Sequence, residues 1–465
     1  MQKENASSRG GLKSKIVKVP KVLNQFLEPQ RLLICLLATI TFLTQYSSFY
    51  GEDIVNARND YLYGARTDFW GGISTLIYAH VPSVGVRWQI WVAVFQISMT
   101  GIGLQKLLAL KTSTFGQKII GALGIYTALL FCSQMTRDGL MFSFLIFGLA
   151  LFKKSVSENL DRRTLILSFL TITLGMCFRP WLSIALAPII LLILRHSPVK
   201  LSKLCSVFLI IAISIAPALT DFAIGRSLSL VKSYPEQQVM LMDSAASYCY
   251  TNNIATGLRA EKSLELFVTD SSYPTKVCQL YRPDTWVSLT KADNVSARGI
   301  LTDFSLIQVG DSVKYEELKA LWVKMIISDP VTYFQNKILF AGKVLIGSDS
   351  RNITFLNVSS KLERALSFYR ILFDIAILLH LYSLLAIIIL LIAIPSRRYF
   401  KREKSGIDFD DISSSLLSAM TIWLICSSIA YIGSNGRYTY TITIISMILF
   451  ITYRQEHQDF GLENE

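Results

Sequence analysis

The sequence has little charge for its length. Of its 465 residues, 17% are charged and 52% are hydrophobic, and the mean hydropathy is +0.43. Soluble globular domains carry about 25% charged residues. This shortage of charge excludes an ordinary soluble protein and predicts an all-α polytopic membrane protein.

Histidine is also scarce, and other common signals are missing. The four histidines lie far apart in sequence, which argues against a histidine-based metal centre. We find no nucleic-acid-binding motif, so the net charge of +13 predicts no nucleic-acid partner. The first apolar run lacks a small-residue cleavage site, which argues against a cleavable signal peptide.

The apolar segments predict about ten transmembrane helices, because roughly 20 apolar residues cross the hydrocarbon and shorter buried runs can also cross. The segments are Leu32 to Ser48, Trp88 to Leu110, Ile119 to Phe131, Gly139 to Phe152, Leu165 to Cys177, Trp181 to Leu194, Leu204 to Leu219, Ile371 to Ile394, Leu416 to Ile432 and Tyr438 to Thr452.

Every second loop between these segments is rich in lysine and arginine, which places those loops in the cytoplasm. The predicted order is a basic cytoplasmic N-terminus (1–30), transmembrane helices (31–220) with an acidic first outer loop (51–87), a long periplasmic loop or domain (221–368), C-terminal transmembrane helices (369–453) and a cytoplasmic tail (454–465). Both termini are predicted to lie inside.

The first outer loop concentrates acidic residues, namely Glu52, Asp53, Asp60 and Asp68. A carboxylate at the mouth of a membrane cavity can take a proton from a sugar hydroxyl or hold a metal ion. The same acids could equally be solvated surface groups. The aromatic stretch from Asp68 to Tyr78 predicts an interfacial helix or a simple membrane anchor.

Three arginines lie at predicted outer ends of spans. Arg137 and Asp138 form a short outer turn, Arg179 precedes Pro180 at a break, and Arg437 with Tyr438 enters the last span. Guanidinium groups bind phosphate oxygens in a bidentate manner. The structural alternatives are a helix cap or local ion pair, a snorkelling side chain and an interfacial anchor.

The long outer loop predicts a small mixed α/β domain. Leu264 to Val268 and Trp286 to Leu289 are strand-like, whereas Glu316 to Ser328 has a helical apolar period. Val331 to Ile346 is apolar and either returns to the membrane or lies on it. Cys249 and Cys278 fall in this loop and are predicted to form a disulfide, because the loop is placed in an oxidising compartment.

The order of these parts resembles the GT-C superfamily of integral-membrane glycosyltransferases, in particular its poorly characterised bacterial branch. The features that carry the resemblance are the acidic first outer loop, the Arg137-Asp138 turn, the Arg179-Pro180 break, the late outer domain and the Arg437-Tyr438 entry.

The resemblance implies transfer of a sugar from a polyprenyl-phosphate donor to a glycan, lipid or protein acceptor on the periplasmic face of the bacterial inner membrane. It assigns catalysis to Asp53, with Asp60 and Asp68 as alternates. It assigns substrate binding to a wider set: Glu52, Asp68, Arg137, Asp138, Arg179, Arg437 and Tyr438. No cofactor is assigned, and a divalent cation (Mg or Mn) stays open because only some members need one.

Two other functions remain open. A surface-polysaccharide polymerase or ligase of the O-antigen type also has many spans and outer arginines, but its chemistry would not need the first-loop acids. A transporter is disfavoured, because the charges fall at span ends and the chain shows no internal repeat.

Overall fold

The computed structural model describes residues 29–45, 52–64, 66–68, 71–82, 87–107, 136–157, 161–196, 202–267, 273–281 and 311–346, with the shorter pieces 122, 124–126, 128–129, 132, 418–419 and 421–422. These residues are mostly helical, and none of them belongs to a β-strand beyond one isolated bridge. The predicted helical class is therefore correct for this part of the chain.

The helices of the N-terminal half are α1 (Pro29–Gln45), α2 (Glu52–Tyr63), α3 (Gly72–His80), α4 (Trp88–Leu107), α5 (Arg137–Ser157), α6 (Arg162–Met176), a 3₁₀ helix (Pro180–Leu186), α7 (Ala187–His196) and α8 (Lys203–Ser227). Those that follow are α9 (Gln237–Tyr250), α10 (Ile254–Glu265), α11 (Tyr273–Leu280), α12 (Ser312–Ser328) and α13 (Pro330–Ile346).

Helices α1, α4, α5 and α6 pack as a bundle whose directions follow from their contacts. Gln30 at the start of α1 donates to the carbonyl of Gln105 at the end of α4, 3.2 Å away, so these two helices are antiparallel. Lys153 near the end of α5 donates to the carbonyl of Leu107 at 2.8 Å, so α4 and α5 end on the same side.

Glycines bring α5 and α6 close together. A Cβ on Gly175 would meet the Cβ of Phe144 at 2.8 Å, and a Cβ on Gly148 would meet Ile172 at 2.5 Å. The end of α6 thus lies beside the start of α5. One end of the bundle, defined as the site end, gathers the starts of α4 and α5 and the end of α6, whereas the basic residues Lys106, Lys153, Lys154, Arg162 and Arg163 lie towards the other.

Two helices have the length and apolar composition to cross a membrane among the described residues, Trp88–Leu107 and Lys203–Ser227. Gln30–Leu43 and Leu182–Leu191 are apolar but shorter. The about ten spans predicted from the sequence are not established by these helices. Segments 371–394 and 438–452 lie outside the described residues, as do most of 119–131 and 416–432.

The predicted span from Trp181 to Leu194 is divided in the structure. A 3₁₀ helix occupies Pro180–Leu186, and an α-helix follows from Ala187 to His196. Proline at the first position of the 3₁₀ helix follows Arg179, whose φ of −144° and ψ of 67° are not helical. The α-helical path is therefore interrupted at this break, which separates α6 from α7.

Many large apolar side chains are exposed on α6 of the bundle and on α8, which packs against α3, α6, α7 and the 3₁₀ helix. On α6 they are Ile166, Leu167, Leu170 and Leu174, and on α8 they are Leu204, Val207, Phe208, Ile211, Ile215, Leu219 and Phe222. An apolar face of this extent is unusual for a protein surface in water.

The first predicted outer loop is largely helical, since α2 and α3 occupy most of its described residues. The predicted interfacial helix from Asp68 to Tyr78 corresponds to α3, which begins later, at Gly72. Arg58 on α2 donates to the carbonyls of Tyr78 at 2.7 Å and Val81 at 3.0 Å, which ties the two short helices together.

The predicted mixed α/β domain is wrong where the structure describes it, because that region is helical. Leu264 lies in the last turn of α10 rather than in a strand from Leu264 to Val268. Leu264 and Phe267 are both buried, and their separation of three residues is typical of a helix rather than of a strand. The other predicted strand, Trp286 to Leu289, lies outside the described residues.

Helices α9 to α12 surround one apolar cluster of this outer domain, which includes Met240, Leu241, Leu264, Val277 and Leu318. Helix α13 packs against α9 and α12. Cys249 and Cys278 are joined by a disulfide, with their Cα atoms 5.4 Å apart. This is the pair that the sequence predicts. It ties α9 to α11 across a sequence separation of 29 residues.

Replacing Gly72 with alanine is expected to destabilise the protein. A Cβ on Gly72 would lie 2.3 Å from the carbonyl oxygen of Asp221 and 2.4 Å from the backbone nitrogen of Gly225, and backbone atoms cannot easily move aside. Gly257→Ala is the matched control, since its Cβ would meet only Thr251 Cγ2 at 3.7 Å. Thermal unfolding in detergent should show a lower Tm for G72A alone, and equal Tm values would contradict the close packing.

Asp329 is expected to stabilise the outer domain in a pH-dependent manner. Hydrogen bonds from Thr251 Oγ1 at 2.6 Å and from the backbone nitrogen of Thr332 at 3.1 Å hold the pKa of Asp329 below its ordinary value. The contribution is present above the unfolded-state pKa and disappears as the pH falls through the folded-state value. Asp329→Ala should cost about 1 kcal/mol at neutral pH.

The difference in Tm between wild type and D329A should therefore shrink as the pH is lowered below about 4. A difference that stays constant with pH would contradict the assigned ionisation.

Candidate functional site

Asp60 stabilises the turn that follows α2. Its Oδ2 accepts hydrogen bonds from the backbone nitrogen of Thr67 at 2.8 Å and from Thr67 Oγ1 at 2.7 Å. Its carbonyl accepts from the backbone nitrogens of Gly64 and Arg66, and Arg66 has a φ of 54°. This side chain therefore shapes the turn between α2 and α3.

Asp68 joins the first outer loop to the segment after α8. Its Oδ1 accepts from the backbone nitrogen of Ser233 at 2.8 Å and from Ser233 Oγ at 2.7 Å. The backbone adds two bonds, because Asp68 N donates to the carbonyl of Val231 and Val231 N donates to that of Arg66. Residues more than 160 positions apart in sequence are thereby held together.

Asp221 near the end of α8 binds the N-terminus of α3. Its Oδ1 accepts from the backbone nitrogen of Ile73 at 2.8 Å. Gly71 before this helix has a φ of 82°, and Gly72 lies against the backbone of α8. The N-terminus of a helix carries partial positive charge and unpaired N–H groups, so a carboxylate is stabilised there.

Two predicted site residues lie close to Asp221. Arg137 and Asp68 are both near enough to interact with its carboxylate electrostatically, Arg137 by attraction and Asp68 by repulsion. Asp221 was not among the candidates predicted from the sequence. The available signal was an aspartate at the end of the apolar run of α8, where an ionisable residue next to hydrocarbon usually has a function or a partner.

Asp138 and Arg179 form a buried bidentate ion pair. Arg179 Nε donates to Asp138 Oδ1 at 2.7 Å and Nη2 donates to Oδ2 at 2.9 Å, and the two side chains are 10% and 2% exposed. The pair joins the first turn of α5 to the break before the 3₁₀ helix. The local ion pair that the sequence left open for Asp138 is therefore present, and its partner is Arg179.

We refer to Asp68, Arg137, Asp138, Arg179 and Asp221 as the polar cluster. The bond from α3 to Asp221 brings α3 and α8 to the site end of the bundle. The pair of Asp138 and Arg179 brings the start of α5 and the break before the 3₁₀ helix to the same end. The polar cluster thus contains both predicted carboxylates and predicted arginines, and they come from distant parts of the sequence.

The other predicted residues are only partly placed. Glu52 and Asp53 belong to the first turn of α2, but their side chains are outside the described part of the structure. Arg437 and Tyr438 also lie outside the described residues. Asp60 is engaged with Thr67 in the turn after α2.

No metal site is defined within the described residues, since no three His, Cys, Asp or Glu side chains there form a group that could hold an ion. Comparison with protein-family models, with curated proteins and with solved structures finds no match to this chain. The functional interpretation therefore depends on the geometry of the polar cluster and on the sequence.

Asp138→Leu and Arg179→Met should each destabilise the protein by about 3–5 kcal/mol, because each removes the ion-pair partner of a buried charge. The double variant Asp138→Leu/Arg179→Met should be less destabilised than either single variant, since it buries no charge. Thermal unfolding of all three in detergent checks this. Additive losses in the double variant would show that the two side chains are not energetically coupled.

Proposed function

We propose that the protein is an integral-membrane glycosyltransferase that moves a sugar from a polyprenyl-phosphate donor to a glycan, lipid or protein acceptor on the periplasmic face of the bacterial inner membrane. The observation that carries this proposal is the polar cluster, in which carboxylates of the first outer loop and of α8 lie at the same end of the bundle as Arg137 and Arg179.

The reaction needs a base and a group that stabilises the departing phosphate. The acceptor hydroxyl loses its proton to a carboxylate, its oxygen forms the new bond to the anomeric carbon, and the bond from that carbon to the phosphate oxygen breaks. Polyprenyl phosphate leaves with the electron pair. Positive groups fixed near this oxygen stabilise the charge that develops on it.

Asp53 is assigned as the base. Asp60 and Asp68 each accept two hydrogen bonds from the protein through one carboxylate oxygen, so they have structural duties in the turn and in the join to Ser233. These structural roles favour Asp53 over Asp60 and Asp68 as the catalytic base and leave Asp60 as the alternate.

Arg137 is assigned as the principal phosphate ligand, and Arg179 as a second one. Nε and Nη2 of Arg179 are held by Asp138, which fixes the orientation of the guanidinium group. A fixed guanidinium loses little conformational entropy when it binds an anion. Glu52, Arg437 and Tyr438 are assigned to substrate binding only by the resemblance, and Mg or Mn remains an open cofactor.

The membrane location is supported by two features of the bundle. The exposed faces of α6 and α8 are apolar, as expected for helices in lipid. The basic residues towards the end opposite the polar cluster match the cytoplasmic excess of lysine and arginine, so the polar cluster would face the periplasm.

The test is turnover of a panel of radiolabelled polyprenyl-phosphate sugars by the purified full-length protein. Asp53→Asn is expected to reduce release of polyprenyl phosphate by at least about 100-fold, the low end for loss of a general base. Arg137→Lys should reduce it by about 100-fold, because lysine cannot make the bidentate contacts that stabilise charge on the departing phosphate. Asp60→Asn should retain activity if it only shapes the turn.

Matched controls lie at the opposite end of the bundle. Asp161→Asn keeps an N-cap at the start of α6, where Asp161 Oδ2 accepts from the backbone nitrogen of Thr164 at 2.9 Å. Arg163→Lys keeps the charge of an exposed side chain. Both controls should be as active as wild type, and Tm values measured in parallel show which variants are folded.

The outcomes distinguish the candidate functions. An active wild type that loses turnover in D53N supports the transferase. Turnover that survives D53N and is lost in R137K indicates the arginine-based chemistry of a polysaccharide polymerase or ligase. A folded wild type that consumes no donor in the panel contradicts the proposal and leaves the polymerase or ligase and the transporter as the alternatives.

A further inference from the structure

Helix α13 has its polar and apolar faces reversed relative to a helix on a protein surface in water. The side chains of Tyr333, Asn336, Lys337 and Phe340 are buried. Tyr333 and Lys337 lie against Trp322 and Asp243 of the outer domain, whereas Phe340 joins the apolar cluster of the bundle. The outward side chains are Val331, Phe334, Ile338 and Leu339, which are 57–69% exposed, together with Gln335. Their spacing of three and four residues places them on one face, which we call the α13 face.

The buried side of α13 contains an ion pair. Lys337 Nζ lies 2.7 Å from Asp243 Oδ1, and Trp322 Nε1 donates to Asp243 Oδ2 at 3.0 Å. Removing two charges from water is costly before their attraction is counted. The domain therefore turns its charged residue inward on this helix and leaves the apolar residues outside, which is the arrangement expected when the outside is not water.

We propose that the α13 face lies in the lipid–water interface and anchors the outer domain to the bilayer surface. A helix of 17 residues is about 25 Å long, which is shorter than the roughly 30 Å hydrocarbon core. Its other side carries Asn336 and Lys337 and is packed on protein. The helix thus lies along the surface, with its apolar side chains about 5–10 Å into the boundary region.

Chain connectivity places the domain next to the bilayer. Helix α8 ends at Ser227 and α9 begins at Gln237, so the connecting residues span at most about 35 Å. The bonds from Asp68 to Ser233 and from Val231 to Arg66 shorten that reach by holding the connection at the site end of the bundle.

Lipid fits this face better than a protein partner does. A protein interface carries about one hydrogen bond per 100–200 Å². Among the outward residues named above, Gln335 alone has a polar side chain that could make one. The exposed faces of α6 and α8 have the same outward apolar pattern. The inference depends on the membrane location of α8 and does not depend on sugar transfer.

The experiment uses nitroxide labels on the full-length protein in vesicles of phosphatidylethanolamine and phosphatidylglycerol. Cys35, Cys132, Cys177, Cys205 and Cys426 are replaced by alanine, and the disulfide from Cys249 to Cys278 is kept. Single cysteines are then introduced as Val331→Cys, Phe334→Cys and Ile338→Cys. Collision rates with oxygen, which enters lipid, and with a water-soluble nickel chelate are measured for each label.

Two control positions calibrate the measurement. Phe208→Cys lies on the exposed apolar side of α8, and Glu316→Cys lies on α12 with its side chain 67% exposed. The ratio of oxygen to nickel accessibility at the three α13 positions should approach that of position 208 and exceed that of position 316 several-fold.

High nickel accessibility on α13 would overturn the proposal, because it would place the face in water. Low accessibility to both reagents would also overturn it, because a protein segment would then cover the face. A low oxygen-to-nickel ratio at position 208 would instead contradict the membrane location of α8, and with it both proposals. Lipid contact at position 208 without lipid contact on α13 contradicts this inference alone.

Discussion

The contact between the carboxylate of Asp221 and the first turn of α3 is the constraint on which the arrangement of the polar cluster depends. It joins the end of an apolar helix of 25 residues to a short helix of the first outer loop. Gly72 permits the approach, because any side chain there would strike the backbone of α8. Asp68 adds a second join a few residues further along the chain, through Ser233. Together these contacts fix the first outer loop against the bundle.

Burial of charge follows a consistent pattern in this protein. Asp138 with Arg179, and Asp243 with Lys337, are inward-facing ion pairs with little exposure, whereas leucine, isoleucine and phenylalanine occupy outward faces of α6, α8 and α13. Burying charge is costly in any fold. Inward-facing ion pairs are nevertheless expected where the outer surface meets lipid, because exposing a charged side chain to hydrocarbon is costlier than exposing it to water.

The sequence predicted the helical class and the positions of most described helices in the bundle, because long apolar runs with basic flanks are a strong signal. It placed Arg137, Asp138 and Arg179 at span ends, yet it could not show that Asp138 and Arg179 bind each other, since they are 41 residues apart and pairing depends on how α5 and α6 pack. The disulfide between Cys249 and Cys278 could be predicted from the sequence, because both cysteines lie in the same long polar loop.

Other predictions failed for local reasons. Leu264 to Val268 has the apolar content of a strand, but Asn253 caps a helix that includes Leu264, accepting from the backbone nitrogen of Thr256 at 3.2 Å. For the acidic first loop the sequence predicted one helix, from Asp68 to Tyr78, whereas the structure has a second helix before it, α2. Asp221 was missed because its importance arises from a partner 148 residues away in sequence.

The most direct measurement is a cryo-electron microscopy structure of the full-length protein in a lipid nanodisc, with a bound antibody fragment and polyprenyl phosphate, the product of the proposed reaction. The account predicts phosphate density at the site end of the bundle, in contact with Arg137 and facing the first turn of α2. Phosphate density at the opposite end, among Lys153, Lys154 and Arg162, or a first outer loop detached from Asp221, would contradict it.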